Sequence, residues 1–221
     1  MIKAVIFDLD GTIADTIDAI TEGINLAMDK LNYPKNTSRD VLAHINFGVR
    51  HLVRLSIPEA YQSDEAKVDE ALAVYLEAYR TTYMHTDHPY DGVLSMVEAL
   101  HRQGYRIGVL SNKPHEFVQN LIPVLLPGDL CQIARGQIPG TPAKPDPTVP
   151  HEVCRAMGAE PCECVFVGDS DVDMITAKNA GFFALGVAWG YRSVEQLKQK
   201  GADAIADTPA DIVSIVAGLN A

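Results

Sequence analysis

Lys3-Ala4-Val5-Ile6-Phe7-Asp8-Leu9-Asp10-Gly11-Thr12 stands almost at the start of the chain. Residues 3–8 form a β-branched and aromatic run, which predicts a buried strand. Asp10-Gly11-Thr12 ends it with a turn signal. From about Thr16 to Tyr33 the period changes. Ile17, Ile20, Ile24, Ala27 and Leu31 recur every three to four residues, so a helix is expected there, ended by Pro34 and Asn36. Residues 39–56 and 64–84 also read as helical, the second with Val68, Leu72, Tyr75, Leu76 and Tyr79 on one face. No strand-like run interrupts residues 16–84, so a block of helices is inserted directly after the first strand.

Past the polar joint His85-Thr86-Asp87-His88-Pro89-Tyr90-Asp91-Gly92 the pattern alternates. Helices are expected over 93–103, 115–125, 148–157, 171–180, 194–200 and 209–218. Strands are expected over 105–111, 130–134, 163–168, 183–188 and 203–206, with a Gly/Pro-rich loop at 136–147. Strand–helix alternation requires crossovers, hence a parallel sheet with helices on both faces and an α/β fold. The expected division is a discontinuous core of residues 1–14 and 90–221 and a helical domain of residues 15–89. Residues 15–16 and 84–90 are the expected hinges, whose closure would exclude water.

The 221 residues are 47% hydrophobic and 21% charged, with 16 Gly and 13 Pro, a globular composition. The formal charge of −11 argues against nucleic acid and anionic membranes as partners. It leaves an anionic substrate open, because a local cation reverses the field. The first apolar run is too short for a signal peptide. Nothing approaches the roughly 18 apolar residues of a membrane helix, so a soluble, cytoplasmic protein is expected. The four cysteines read as buried or free thiols. No exposed seam stands out, and a monomer or a homodimer fits.

In such sheets ligands bind outside the carboxyl ends of the strands. The first strand is followed by Asp8 and Asp10, the second by Ser111, Asn112 and Lys113, and the fourth by Gly168, Asp169, Ser170, Asp171 and Asp173. Lys144 lies in the loop near the third. Each set alone has a plain structural reading. A lone Asp is a turn former or helix cap, Ser111-Asn112 before Pro114 is a cap, Asp171 and Asp173 are first-turn acids, and Lys144 is a solvated loop residue. Four sets in order on one rim point to chemistry instead. Carboxylates without His or Cys suit a hard, oxygen-preferring cation, above all Mg²⁺, with Asp8 and Asp169 as the natural pair. Asp8 is then positioned to attack phosphorus and form an aspartyl-phosphate. Asp10, two residues on along an extended segment, projects to the same side and suits proton transfer to the leaving oxygen and from water. Ser111 and backbone N–H groups near Gly11 suit phosphate oxygens, with Lys144 adding fixed positive charge.

Phe7-Asp8-Leu9-Asp10-Gly11-Thr12-Ile13-Ala14-Asp15-Thr16 resembles the first motif of haloacid dehalogenase-like (HAD) hydrolases. Ser111-Asn112-Lys113-Pro114 resembles the second, and Lys144-Pro145-Asp146-Pro147 the third. Gly168-Asp169-Ser170-Asp171-Val172-Asp173, followed by Ala177, Ala180 and Gly181, resembles the fourth. The resemblance implies a doubly wound, Rossmann-like α/β core with an inserted all-helical cap. It implies Asp8 as nucleophile and metal ligand, Asp10 as general acid/base with its carbonyl on the metal, and Asp169 as the remaining protein ligand. Ser111 and Lys144 would complete the catalytic set. Gly11, Thr12, Ser111, Asn112 and Lys144 would hold phosphate, and Asp173 and Ser170 would support the site from behind.

Within the family, dehalogenating members lack an acid at the Asp10 position, so the resemblance implies phosphoryl transfer. The SNKP run, Gly190-Tyr191 and Gly201-Ala202-Asp203 look most like phosphoglycolate phosphatases. The expected function is Mg²⁺-dependent hydrolysis of a small phosphorylated metabolite, phosphoglycolate-like. The alternative is a sugar-phosphate mutase of the β-phosphoglucomutase type, which shares the core motifs. A receiver-type signalling domain would be much shorter and need no Asp10, and a non-catalytic binding protein would be expected to have lost a motif residue. In the cap, Arg50 is the candidate for a substrate carboxylate, by a bidentate contact, with His44 beside it.

Overall fold

The computed structural model of the chain describes residues 1–86 and 88–221. The expected joint at 84–90 contains Asp87, which lies outside the described residues. Elements in chain order are β1 (Ala4–Phe7), α1 (Ile17–Leu31), α2 (Ser38–His44), α3 (Val49–Ser56), α4 (Glu65–Tyr79), α5 (Val93–Arg102), β2 (Arg106–Pro114) and α6 (His115–Leu125). They continue with β3 (Ile133–Gln137), α7 (Thr148–Ala156), β4 (Cys164–Gly168), α8 (Asp171–Ala180), β5 (Phe183–Val187), α9 (Val194–Gln199), β6 (Ala204–Ala206) and α10 (Pro209–Gly218). The chain divides into two units, Met1–Asp15 with His88–Ala221, and Thr16–Asp87.

The first unit is the expected α/β fold. Its six strands are all parallel in the order β3-β2-β1-β4-β5-β6. The chain starts in the middle of the sheet, builds outward to β3, then returns to the other side at β4. Strand order therefore reverses beside β1, and that is where an open parallel sheet leaves its ligand crevice. Phe7 is in register with Val109 on one side and Val167 on the other. Residues 8, 110–111 and 168–169 consequently emerge side by side at the carboxyl edge. β1 is buried along its whole length, as a strand covered on both faces must be. Ala4, Ile6, Cys164 and Phe166 pack with Val153, Cys154 and Met157 of the α7 region and with Met174 and Ala177 of α8. Cys154 and Cys164 are buried free thiols whose sulfurs lie 3.2 Å apart.

Two expectations about the strands are corrected. β3 begins at Ile133 rather than at 130. It is an edge strand whose pairing with β2 starts at Gly108↔Ile133, so its polar Arg135-Gly136-Gln137 end lies in the ladder, with Gly136 and Gln137 in what was expected to be loop. β2 runs on to Pro114, three residues past its expected end, with a register shift after Leu110.

The second unit holds α1 to α4. The continuous helical stretch expected over 39–56 is two helices. Asn46 and Gly48 both take positive φ, 90° and 88°, which no α-helix can contain. The capping box of Thr37 and Asp40 starts α2, and Gly48 starts α3. α1 packs on α4, and Ile20, Gly23 and Ile24 of the first and Val68, Tyr75 and Tyr79 of the second are buried. A Cβ on Gly23 would sit 2.8 Å from Tyr79 Cδ2, so its smallness sets this close approach. None of the described helices is long and apolar enough to cross a membrane.

Candidate active site

Six charged side chains are buried among the described residues, and all come from the sequence motifs: Asp8, Asp10, Lys113, Lys144, Asp169 and Asp173. Burying one charge is costly, so burying six demands pairing. The backbone brings most of them together. Asp8 N–H donates to Val167 O at 2.9 Å, continuing the β1–β4 ladder to Asp8. The chain then folds into a tight turn, with Gly11 N–H on Ala14 O and Ile13 N–H on Leu9 O, both at 2.9 Å. Gly11 has φ 83°, and a Cβ there would lie 2.4 Å from Asp169 Oδ2. This glycine lets the turn meet the end of β4.

Both carboxylate oxygens of Asp173 are engaged. Its Oδ2 accepts from the Ser170 N–H at 3.0 Å and hydroxyl at 2.6 Å, closing a capping box on α8. Its Oδ1 accepts from Lys144 Nζ at 2.7 Å. Lys144 Nζ also lies 2.9 Å from Asp8 Oδ1. That second approach is a charge contact outside hydrogen-bond alignment, so Asp8 Oδ1 is buried without an aligned donor. The ammonium sits 5.2 Å from the centre of the Phe166 ring in β4. Asn112 fixes the lysine's backbone in both directions, its amide donating to Lys144 O at 3.0 Å and its carbonyl accepting Lys144 N–H at 2.9 Å. Asn112 and Ser111 do not cap α6, which has no side-chain cap.

Asp169 is held by the Thr12 hydroxyl, which donates to Oδ1 at 3.2 Å, and by the Tyr191 N–H, which donates to Oδ2 at 2.7 Å. Thr12, expected at phosphate, thus directs its hydroxyl at a carboxylate. Trp189 Nε1 donates to Thr12 O at 3.1 Å, and the Tyr191 hydroxyl donates to Asp15 Oδ1 at 3.0 Å. The segment 189–191 therefore straps Asp169 to the 10–15 turn. Sequence reasoning quoted Gly190-Tyr191 only as a likeness. Its place just past the carboxyl end of β5 was the available signal. Lys113, to which the sequence assigns no role, donates from Nζ to Asp10 Oδ1 at 2.7 Å, with both side chains buried.

Oxygens of Asp8, Asp169 and Asp173 all lie within 4.8 Å of one another. Burial, reinforced by Asp173, pushes the Asp8 carboxyl up to about 7 against the pull of Lys144. Burial, then Asp173 and Asp8, raises Asp169 well above the usual carboxylate range. Burial alone would lower the Lys144 ammonium, but Asp173 and Asp8 outweigh it and push it up, so Lys144 stays charged. Fully ionised, the four carboxylates exceed the two ammonium groups by two charges. An all-oxygen donor set, an unaligned Asp8 Oδ1 and a deficit of two positive charges fit a hard divalent cation held by Asp8, Asp169 and Asp173.

A stability prediction follows. Asp8 holds its proton to higher pH when folded than when unfolded, so its contribution is whole below about pH 4 and is lost as pH rises to about 7. In metal-free protein, raising the pH from 5 to 8 is expected to destabilise wild type more than Asp8→Asn in urea unfolding. Taking the difference between the two cancels His44, whose burial-lowered pKa acts in the opposite direction. Equal pH slopes would refute it. Gly190 makes a second prediction. A Cβ there would lie 2.1 Å from Asp169 Cβ. Gly190→Ala is expected to cost about 3 kcal/mol in unfolding free energy, and an unchanged urea midpoint would show that the close approach is not needed.

The two residues expected to choose substrate lie in the helical unit. Arg50 on α3 is engaged by α4: Nη2 meets Glu65 Oε2 at 2.5 Å and Nη1 meets Asp69. Arg54 joins Glu65 at 2.8 Å. Arg50 thus makes single contacts to two carboxylates of its own unit, not a bidentate contact to one. His44 closes α2 with its Nδ1 buried and without an aligned partner.

A family model for haloacid dehalogenase-like hydrolases matches residues 5–187, and the chain belongs to that family. It is therefore an enzyme of the hydrolase class, as the four motifs implied. Among curated proteins, it is 31% identical over 208 residues to a plasmid-borne phosphoglycolate phosphatase of Cupriavidus necator, covering 93% of this chain and 89% of that one. It is 29% identical over 214 residues to phosphoglycolate phosphatase 1 of Pseudomonas aeruginosa, covering 96% and 78%. Among solved structures, a Lactobacillus delbrueckii protein described as an inferred phosphoglycolate phosphatase matches with a TM-score of 0.87 and 32% identity, over 97% of this chain and 98% of that one.

Proposed function

We propose that the protein is a Mg²⁺-dependent phosphomonoesterase that hydrolyses a small phosphoglycolate-like metabolite through an aspartyl-phosphate on Asp8. The observation that carries this reading is the Lys144 ammonium set between Asp8 and Asp173 at the carboxyl edge of the sheet. The names of the relatives above support the substrate class.

Asp8, Asp169 and Asp173 would hold the cation, with the Asp10 carbonyl as a further donor. When bound, it would supply positive charge that offsets the carboxylates and admits an anionic phosphate. Asp8 attacks phosphorus as Asp10 gives a proton to the leaving oxygen. Asp10 then takes a proton from water as the acyl phosphate is hydrolysed. Ser111, Asn112, Lys144 and the backbone at Gly11 and Thr12 receive phosphate oxygens, Lys144 stabilising charge as it develops. The helical insertion is assigned the choice of substrate.

Phosphate release from a panel containing 2-phosphoglycolate and β-glucose 1-phosphate, with and without Mg²⁺, tests the reading. Metal-dependent release, highest on a small carboxylated phosphomonoester, is expected. Folded protein that releases no phosphate from any member and isomerises β-glucose 1-phosphate would overturn it.

A further inference from the structure

We infer that Lys113 is a positioning residue for proton transfer. It orients the Asp10 carboxylate so that the leaving oxygen is protonated as Asp8 attacks. The inference rests on the phosphatase reading above and adds to it a residue to which the motif comparison gave no role.

Lys113 Nζ donates to Asp10 Oδ1 at 2.7 Å, and the two side chains are 3% and 9% exposed. They stand 103 residues apart in sequence, on the end of β2 and in the turn after β1, so the sheet rather than local chain brings them together. The register shift in β2 after Leu110 falls just ahead of this lysine. The Lys113 backbone is fixed as well, its N–H donating to Ser111 Oγ at 3.2 Å. Lys144 is occupied elsewhere, with Asp173 and Asp8. Lys144 thus serves Asp8 and Asp173 on the attacking side, Lys113 serves Asp10 on the proton-transfer side, and Asp169 is held instead by Thr12 and Tyr191. A buried carboxylate with one oxygen held by an ammonium cannot swing freely, and its proton is exchanged at the other oxygen, Oδ2.

The step balances. An Asp8 oxygen forms a bond to phosphorus, the bond from phosphorus to the leaving oxygen breaks, and the proton on Asp10 Oδ2 moves to that oxygen to give the free alcohol. In the second half a water oxygen bonds to phosphorus, and its proton goes to Asp10 Oδ2. The acyl–phosphate bond breaks, returning the Asp8 carboxylate and inorganic phosphate.

A positioning role for Asp10 has a signature that simple neutralisation of buried charge lacks. An alkoxide leaving group needs the proton, whereas p-nitrophenolate leaves without it. The experiment measures kcat/KM, which reports the step that phosphorylates Asp8, for 2-phosphoglycolate and p-nitrophenyl phosphate in Mg²⁺. Wild type, Lys113→Met and Lys113→Arg are compared. Lys113→Met is expected to lose about 10²-fold or more on the alkyl ester and about tenfold or less on the aryl ester. Lys113→Arg, which keeps the charge, is expected to recover most of the alkyl activity. Equal fractional losses on both esters, in whichever variant folds, would overturn the inference while leaving the phosphatase reading intact. Wild type inactive on both esters would instead remove the reading on which it rests.

Discussion

Asp8→Asn is expected to lower phosphate release by at least about 10⁴-fold while leaving the protein folded. The amide matches the carboxyl in shape but is a very weak nucleophile, so the acyl phosphate cannot form at a useful rate. Folding should tolerate the change, because Lys144 keeps its aligned bond to Asp173 Oδ1. The substitution also removes one of the carboxylates that outnumber the buried ammonium groups. Mass spectrometry of acid-quenched enzyme should find a phosphoryl adduct on wild type during turnover and none on the variant. Activity of Asp8→Asn within tenfold of wild type would end the aspartyl-phosphate mechanism for this chain.

Lys144→Met is expected to damage both stability and rate. The methionine matches the stem in volume but removes the one cation between Asp8 and Asp173. Two buried carboxylates then face each other beside Asp169, and removing one partner of a buried pair costs about 3–5 kcal/mol. The loss should be largest in metal-free protein above pH 7, where Asp8 would otherwise ionise. With Mg²⁺ present the variant should still lose about 10³-fold in kcat, the scale for removing one preorganised stabiliser of developing charge. Urea unfolding and steady-state phosphate release check the two halves separately. A variant as stable as wild type at pH 8 without metal would show that Asp173 and Asp8 do not depend on the ammonium.

Most of the fold was legible because its signals are local. The unbroken apolar run of β1 and the three-to-four spacing of α1 each declare themselves within a few residues. The break between α2 and α3 was not legible in the same way, since apolar spacing continues through residues 39–56 and only backbone φ at Asn46 and Gly48 interrupts it. β3 was misplaced because an edge strand need not be apolar. At the site, the motif residues could be named from type and position, but their pairings could not. Lys113 with Asp10, and Lys144 with Asp8 and Asp173, join positions that only sheet order makes neighbours. Arg50 shows the converse. A bidentate cation is recognisable in sequence, yet its partners, Glu65 and Asp69, were set by how α3 lies on α4.

The chain has a single tryptophan, Trp189, and its indole N–H is bonded to Thr12 O, the residue whose hydroxyl holds Asp169. The whole indole emission of the protein therefore originates one residue away from a carboxylate of the candidate site, Asp169, with no second fluorophore of its kind to dilute the signal. If the proposed mechanism holds, cation entry, phosphorylation of Asp8 and release of phosphate should each register as a change in ultraviolet emission. The enzyme carries its own optical gauge, and single turnovers can be timed by stopped flow without any label.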